Sequence, residues 1–175
     1  MKEIQKIAII GGPGTGKSTL AKNLGKEMKL PVYHIDGIHH LKNWEIRPTQ
    51  ERDAIILEKI KEPKWIIDGT YKATLEERVI NADLVIFLDY STIAKLKGIL
   101  SRYFKNKGQE KPEIPGCKEK MDWEFIQLTM KWNKTKRKIV KDILDRYKDK
   151  KILIFKNRRS LNKWYENKFK KGIEL

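Results

Sequence analysis

Residues Gly11-Gly12-Pro13-Gly14-Thr15-Gly16-Lys17-Ser18 follow the pattern G-x-x-x-x-G-K-[ST]. Each residue type answers a need of polyphosphate binding. Glycines let backbone N–H groups curl around phosphate oxygens without Cβ clashes, and the helix that follows turns its positive end toward the anion. Gly12, Pro13, Gly14, Thr15, Gly16, Lys17, Ser18 and Thr19 are therefore expected to form the collar around a nucleoside triphosphate. Lys17 would bridge the terminal phosphates, and the Ser18 hydroxyl would ligate Mg²⁺. The dinucleotide pattern G-x-G-x-x-G fails in both registers, because Lys17 and Thr19 stand where its last glycine should be. The expected cofactors are ATP and Mg²⁺.

The segment His34-Ile35-Asp36-Gly37-Ile38-His39-His40 holds every histidine of the chain. Asp36 is suited to act as general base or to hold a Mg²⁺-bound water, or else to serve as a turn residue before Gly37. A zinc site from His34, His39 and His40 is conceivable, but adjacent His39 and His40 diverge on any regular element and no thiol or second carboxylate accompanies them. Donation to an anionic substrate and filling of a half-exposed surface are the other uses of these rings. Asp68 closes "WIIDG" and can orient water on Mg²⁺ opposite Ser18, with a turn or cap as its structural alternative. Asp89, ending "VIFLD", is read as structural, a cap before a helix at Thr92.

These groups need elements to position them. Apolar runs of strand length alternate with helical periods, the pattern of a parallel sheet covered by helices. Strands are expected at 6–10, 31–35, 65–68, 82–89 and 151–155. The first helix places Leu20, Ala21, Leu24 and Met28 on one stripe. A second helix, 50–61, buries Ile56 and Ile60 with Ala54 or Leu57, and Pro63 ends it. After a helix over 92–102, residues 105–120 hold two prolines, two glycines and many charges, which predicts an exposed loop carrying Cys117 as a free thiol. Asp122 caps a long helical stretch with Phe125, Leu128 and Trp132 on one stripe. Ile139, Ile143 and Tyr147 continue it after a bend, and Ser160 caps a last helix. Ligands gather at the carboxyl ends of such strands, so Asp36 and Asp68 should share an edge with the glycine loop. Trp44, Trp65, Trp123, Trp132 and Trp164 are candidates to anchor core or interface.

At 175 residues the chain suits one domain, and 39% hydrophobic with 35% charged content suits a globular protein with a solvated surface. No apolar run reaches bilayer length and none precedes a cleavage site, which predicts neither membrane span nor export signal. A single cysteine excludes an intramolecular disulfide and fits a cytoplasmic location. The net charge of +16 suits anionic ligands, small or polymeric. Lysines outnumber arginines 31 to 8, whereas base-edge recognition favours arginine.

Taken in order, "GGPGTGKST", "HIDGIHH", "WIIDGTYKATLEER", "ADLVIFLDYS" and "GCKEKMDWEF" make nearly the whole chain resemble the adenylate-kinase-related family of DNA topology modulation proteins. The resemblance implies a three-layer α/β/α P-loop NTPase fold, a five-stranded parallel sheet in a single domain over 1–175 with a helical and loop lid near 97–121. It implies that Arg102 is a lid arginine closing over the transferring phosphates, with a solvated helix residue as the structural alternative. The loop from Asn157 to Arg159, with Arg158, would lie beside the nucleotide base. Arg78 would reach the acceptor side or form a surface ion pair. Adenylate kinases carry "DGFPR" after the third strand, where this chain has "DGTYK". That departure points away from AMP and leaves Tyr71, Lys72, His39 and Asp36 to meet another small acceptor. The expected activity is transfer of the γ-phosphoryl group of ATP to a nucleotide, nucleoside or other small molecule. The alternative is a nucleic-acid-associated ATP-binding regulator. Oligomeric state is not legible.

Overall fold

The computed structural model describes residues 3–119 and 122–170. Its centre is a five-stranded sheet in which β1 (Lys6–Gly11), β2 (Val32–His34), β3 (Trp65–Asp68), β4 (Leu84–Leu88) and a last strand over Ile152–Phe155 lie in the order β2-β3-β1-β4-last, every adjacent pair parallel. Helices α1 (Lys17–Met28), α2 (Ile35–His39), α3 (Thr49–Lys61), α4 (Leu75–Asn81), α5 (Thr92–Asn106), α6 (Trp123–Trp132), α7 (Lys136–Arg146) and α8 (Arg158–Lys170) connect and cover it. The expected five-stranded parallel α/β/α architecture is what forms.

Strand periodicity divides the core. Ala8, Ile10, Ile67, Val85 and Phe87 face one layer, where Ile56, Ile60, Val79, Trp132, Val140 and Ile143 pack from α3, α4, α6 and α7. Ile7, Ile9, Ile66, Leu84, Ile86 and Leu88 face the other, against Leu20, Ala21 and Leu24 of α1 and Leu161 of α8. A parallel sheet buried on both faces needs unbroken apolar strands, which is why "KIAII" and "LVIFL" read so plainly.

Several expectations are corrected. Residues 105–120 are not an exposed loop throughout: α5 runs on to Asn106, and β5 (Glu110–Lys111) pairs antiparallel with β6 (Ile114–Lys118), the strand over Ile152–Phe155 thus being β7. Ile114 and Cys117 are buried. The Cys117 thiol accepts from Trp44 N at 3.1 Å and donates to the Leu41 carbonyl at 3.3 Å, so it is a packed contact rather than a surface thiol. In α3, Ala54 and Leu57 are exposed and Arg52 takes the buried position. In α6, Leu128 is exposed and Thr129 faces the core, because burial there follows i, i+4, i+7 from Phe125.

Three caps also differ or hold. Asn157, not Ser160, caps α8, accepting from Ser160 N at 2.9 Å. Ser91, not Asp89, caps α5, accepting from Ala94 N at 3.3 Å. Asp122 caps α6 as expected, accepting from Glu124 N at 2.9 Å and Phe125 N at 3.4 Å. The bend expected after Trp132 is the break between α6 and α7. The end of the expected lid, Lys120 and Met121, lies outside the described residues.

Candidate functional site at the carboxyl edge of the sheet

The glycine loop leaves β1 and enters α1 through backbone conformations that side chains disfavour. Gly14 has φ 70° and Gly16 φ 89°, the latter at the N-cap of α1. With no side-chain cap, the first N–H groups of α1 stay available to an anion. Two contacts pin the loop internally: the Thr15 hydroxyl donates to the Gly12 carbonyl at 2.8 Å, and Lys17 Nζ donates to the same oxygen at 3.1 Å. Thr70, just after β3, grips the loop's first residue twice. Its Oγ1 accepts from Gly11 N at 3.1 Å and donates to Gly11 O at 2.8 Å.

Asp68 emerges from β3 beside this loop, as the paired strands require: Asp68 is in register with Ile9 on one side and His34 on the other. The Ser18 hydroxyl donates to Asp68 Oδ2 at 2.8 Å, and His34 Nδ1 donates to Oδ1 at 2.6 Å. A hydroxyl and a carboxylate oxygen this close form the hard-oxygen donor pair that suits Mg²⁺. The two residues named from the sequence as metal partners are thus brought together. His34 is the residue that reading missed in this role; its signal is only its place one strand away in register.

Asp36 is not the direct end of β2 but lies in the first turn of the short helix α2. Tyr71 OH donates to its Oδ1 at 3.2 Å. Burial and the Asp36 charge push the Tyr71 phenol up, so it remains a donor across the physiological range. His39 stacks near Tyr71, with ring centroids 5.0 Å apart, and near His40 at 4.6 Å. Arg52 stacks on Tyr71 from 4.8 Å, and its Nη1 lies 3.4 Å from His39 Nδ1. Desolvation first, then the neighbouring His40 and Arg52, hold His39 below its ordinary range. The three imidazoles therefore divide their work, His34 on Asp68 and His39 and His40 in the aromatic wall beside Asp36.

Both carboxylates act electrostatically on Lys17. Burial lowers its pKa, Asp36 and Asp68 oppose that shift, and Arg102 reinforces it. Asp36, Asp68 and Arg102 thus share the electrostatic field at the loop lysine. Arg102 Nε lies 3.1 Å from the buried carboxylate of Glu119, which Lys111 also approaches at 3.7 Å. The β5–β6 hairpin is in turn clasped to the Asp36 side. Glu113 pairs with Lys22 at 2.5 Å, and Lys111 lies over the Trp44 ring at 4.6 Å. The hairpin therefore spans from α5 to the segment that follows β2.

Other named residues fall elsewhere. Arg158 is exposed, with Nη2 3.4 Å from where a Gly16 Cβ would stand, and lines a pocket with Tyr90, Ala94, Lys97, Gly98 and Ser101. Arg78 does not form a surface ion pair among the described residues. It is fully buried and donates to the carbonyls of Thr74, Gly69 and Tyr71 at 3.2, 2.8 and 3.0 Å, fixing the turn that presents Tyr71. Burial pushes its pKa down to about 10. Lys72 is exposed and lines a groove with Ala73, Ile139 and Asp142, on the α7 side. Pro13 and Gly14 are half-buried, and Thr19 is exposed.

Comparison with known proteins agrees with this geometry. The model of the ATPase family associated with various cellular activities (AAA) matches residues 7–90. Adenylate kinase 2 of Synechocystis sp. (strain ATCC 27184 / PCC 6803 / Kazusa) is 52% identical over 33 residues, 19% of this chain and 18% of that protein. The chain thus aligns with less than a fifth of that relative's length. Among solved structures, shikimate kinase from Acinetobacter baumannii in complex with shikimate superposes with a TM-score of 0.60 at 15% identity, covering 98% of this chain and 96% of that one. Shikimate kinase from Aquifex aeolicus gives 0.50 at 14% identity, covering 87% and 86%. Sheet order, glycine loop and overall superposition give this chain the P-loop NTPase fold in the form that shikimate kinases share.

Proposed function

We propose that the protein is a small-molecule kinase that transfers the γ-phosphoryl group of ATP to an acceptor hydroxyl. The observation that carries this reading is the pair of carboxylates at the loop's edge, Asp68 accepting from the Ser18 hydroxyl at 2.8 Å and Asp36 accepting from the Tyr71 phenol at 3.2 Å. A switch ATPase has no need of a second carboxylate set in an aromatic wall; a phosphotransferase needs one to receive the acceptor's proton.

The collar from Gly12 to Thr19 would hold the triphosphate, with Lys17 released from the Gly12 carbonyl to meet the terminal phosphates. Ser18 and Asp68 would hold Mg²⁺, Asp68 through water, and the ion would supply charge neutralisation at the phosphates. Asp36, oriented by Tyr71, accepts the proton of the acceptor hydroxyl as its oxygen bonds to the γ-phosphorus. The bond from that phosphorus to the bridging oxygen breaks, and ADP leaves. Arg102 offsets the equatorial charge, and the hairpin excludes water. His39 and Tyr71 line the acceptor side, while Arg158 flanks the nucleotide.

The order of its motifs supports placing the chain beside the adenylate-kinase-related DNA topology modulation proteins, and the absence of "DGFPR" supports an acceptor other than AMP. The test is transfer of labelled γ-phosphate from ATP to a panel of nucleosides, nucleotides, sugars and small acids. One acceptor class should become labelled, and Lys17→Ala should abolish the labelling with unchanged circular dichroism. Labelling retained in Lys17→Ala would refute the assignment.

A further inference from the structure

The proposed mechanism leaves the buried cation of Lys95 unused. Lys95, in the first turns of α5, has no solvent exposure, yet among the described residues no carboxylate lies within ion-pair distance of it. Its ammonium donates to Asn133 Oδ1 at 2.5 Å and lies 4.3 Å from the centroid of the Trp132 ring. Asn133 is held in turn by donating to Thr92 Oγ1 at 3.1 Å. A neutral amide and a π face are weak compensation for a fully desolvated charge, so the position is expensive to maintain for packing alone.

Its location suggests what the charge serves. A Cβ added at Gly12 would stand 2.6 Å from Lys95 Cδ and 3.2 Å from Nζ, and one at Gly14 would stand 2.2 Å from the Lys95 carbonyl. The lysine therefore lies directly behind the loop, its side chain against Gly12 and its backbone against Gly14. Gly12 and Gly14 thus leave room for this close approach, and Gly14 also has the positive φ of 70° that the loop's curvature needs.

We infer that Lys95 is a positioning residue of the triphosphate site, a buried ammonium fixed behind the loop whose charge is balanced when a polyphosphate is bound in front of it. The inference rests on the nucleotide-binding reading of the loop. The charged groups around it are few. Asp89 at the end of β4 favours the ammonium, while Arg137 of α7 and Lys17 of α1 disfavour it, and burial outweighs them all. The free protein accordingly holds Lys95 down at about 8, where it is only partly protonated under mildly alkaline conditions. A bound polyanion raises that value, so nucleotide binding takes up a proton at Lys95.

The experiment is calorimetric titration of Mg·ATP at pH 8 in two buffers of different ionisation enthalpy, on the wild type and on Lys95→Met, which keeps the length of the side chain and removes the charge. The wild type should take up a fraction of a proton on binding. If the nucleotide raises Lys95 by one pKa unit, the wild type's affinity should fall about tenfold between pH 7 and pH 10. Lys95→Met should bind more weakly at pH 7 and lose the Lys95 share of both signals, leaving what Lys17 contributes. A role in packing alone would leave the proton count unchanged. Equal proton uptake in the two proteins, or equal affinity at pH 7, overturns the inference while the nucleotide site stands. A wild type that binds no ATP overturns the nucleotide reading and this inference with it. If Lys95→Met does not fold, Asn133→Leu, which removes the ammonium's hydrogen-bond acceptor, should lower the pH at which the affinity declines. An unchanged decline then counts against it.

Discussion

Single residues at the carboxyl edge of the sheet are held by partners far away in sequence, and Asp89 shows what that costs and gives. Its buried carboxylate receives Arg137 through Nε at 2.5 Å and Nη2 at 2.9 Å, and Lys156 closes on Oδ2. Burial alone would raise its pKa, but these hydrogen bonds hold it below the ordinary carboxylate range. A depressed native pKa means the unfolded chain binds the proton more readily, so this contribution is present above the ordinary value of 3.8 and is lost as pH falls through the native value. Asp89→Asn should therefore cost roughly 2 kcal/mol at pH 7. Its urea midpoint should fall less than the wild type's on going from pH 5 to pH 3. Parallel acid limbs in the two proteins would contradict the assignment. Asp68 was legible from the sequence because it closes an apolar run at a predictable strand end, and Asp36 was placed near the same edge although it stands in the first turn of α2. His34 on Asp68, Thr70 on Gly11 and Lys95 behind Gly12 were not, because only the folded register brings them together.

Elements were legible where local pattern decides them. The strands at 65–68 and 84–88 and the helices opening at Lys17 and Trp123 follow from apolar runs, a glycine turn and an Asp cap. The hairpin 110–118 was hidden because its strands are short and polar, and its order comes from outside: Cys117 on residues 41 and 44, Glu113 on Lys22, Glu119 on Arg102. The packing of α5 on the loop is the other contact without a local signal. Gly98 approaches so closely that an added Cβ would stand 2.0 Å from the Gly14 carbonyl oxygen. Gly98→Ala must push α5 from the loop, an overpacking cost of about 1–3 kcal/mol. The expected outcome is ATP affinity weaker by roughly tenfold or more, measured by titration. Unchanged affinity would show that α5 does not support the loop.

Over the whole molecule, a sheet in the order β2-β3-β1-β4-β7 puts β1 at the centre, with the ends of β2 and β3 on one side and of β4 on the other. The loop after β1 therefore receives Asp36 and Asp68 from one flank, and Lys95 and Arg102 from the other. The net charge of +16 favours anionic ligands over cationic ones. Among the described residues no helix is long and apolar enough to cross a membrane. We propose a division of labour at the carboxyl edge of the sheet, with polyphosphate held by the loop and the acceptor's proton received at Asp36. The most direct measurement is a comparison of Asp36→Asn with the wild type in both ATP affinity and acceptor-dependent ADP release. The predicted result is affinity kept within about twofold and release lowered by roughly a hundredfold or more. Release at the wild-type rate in Asp36→Asn would contradict it.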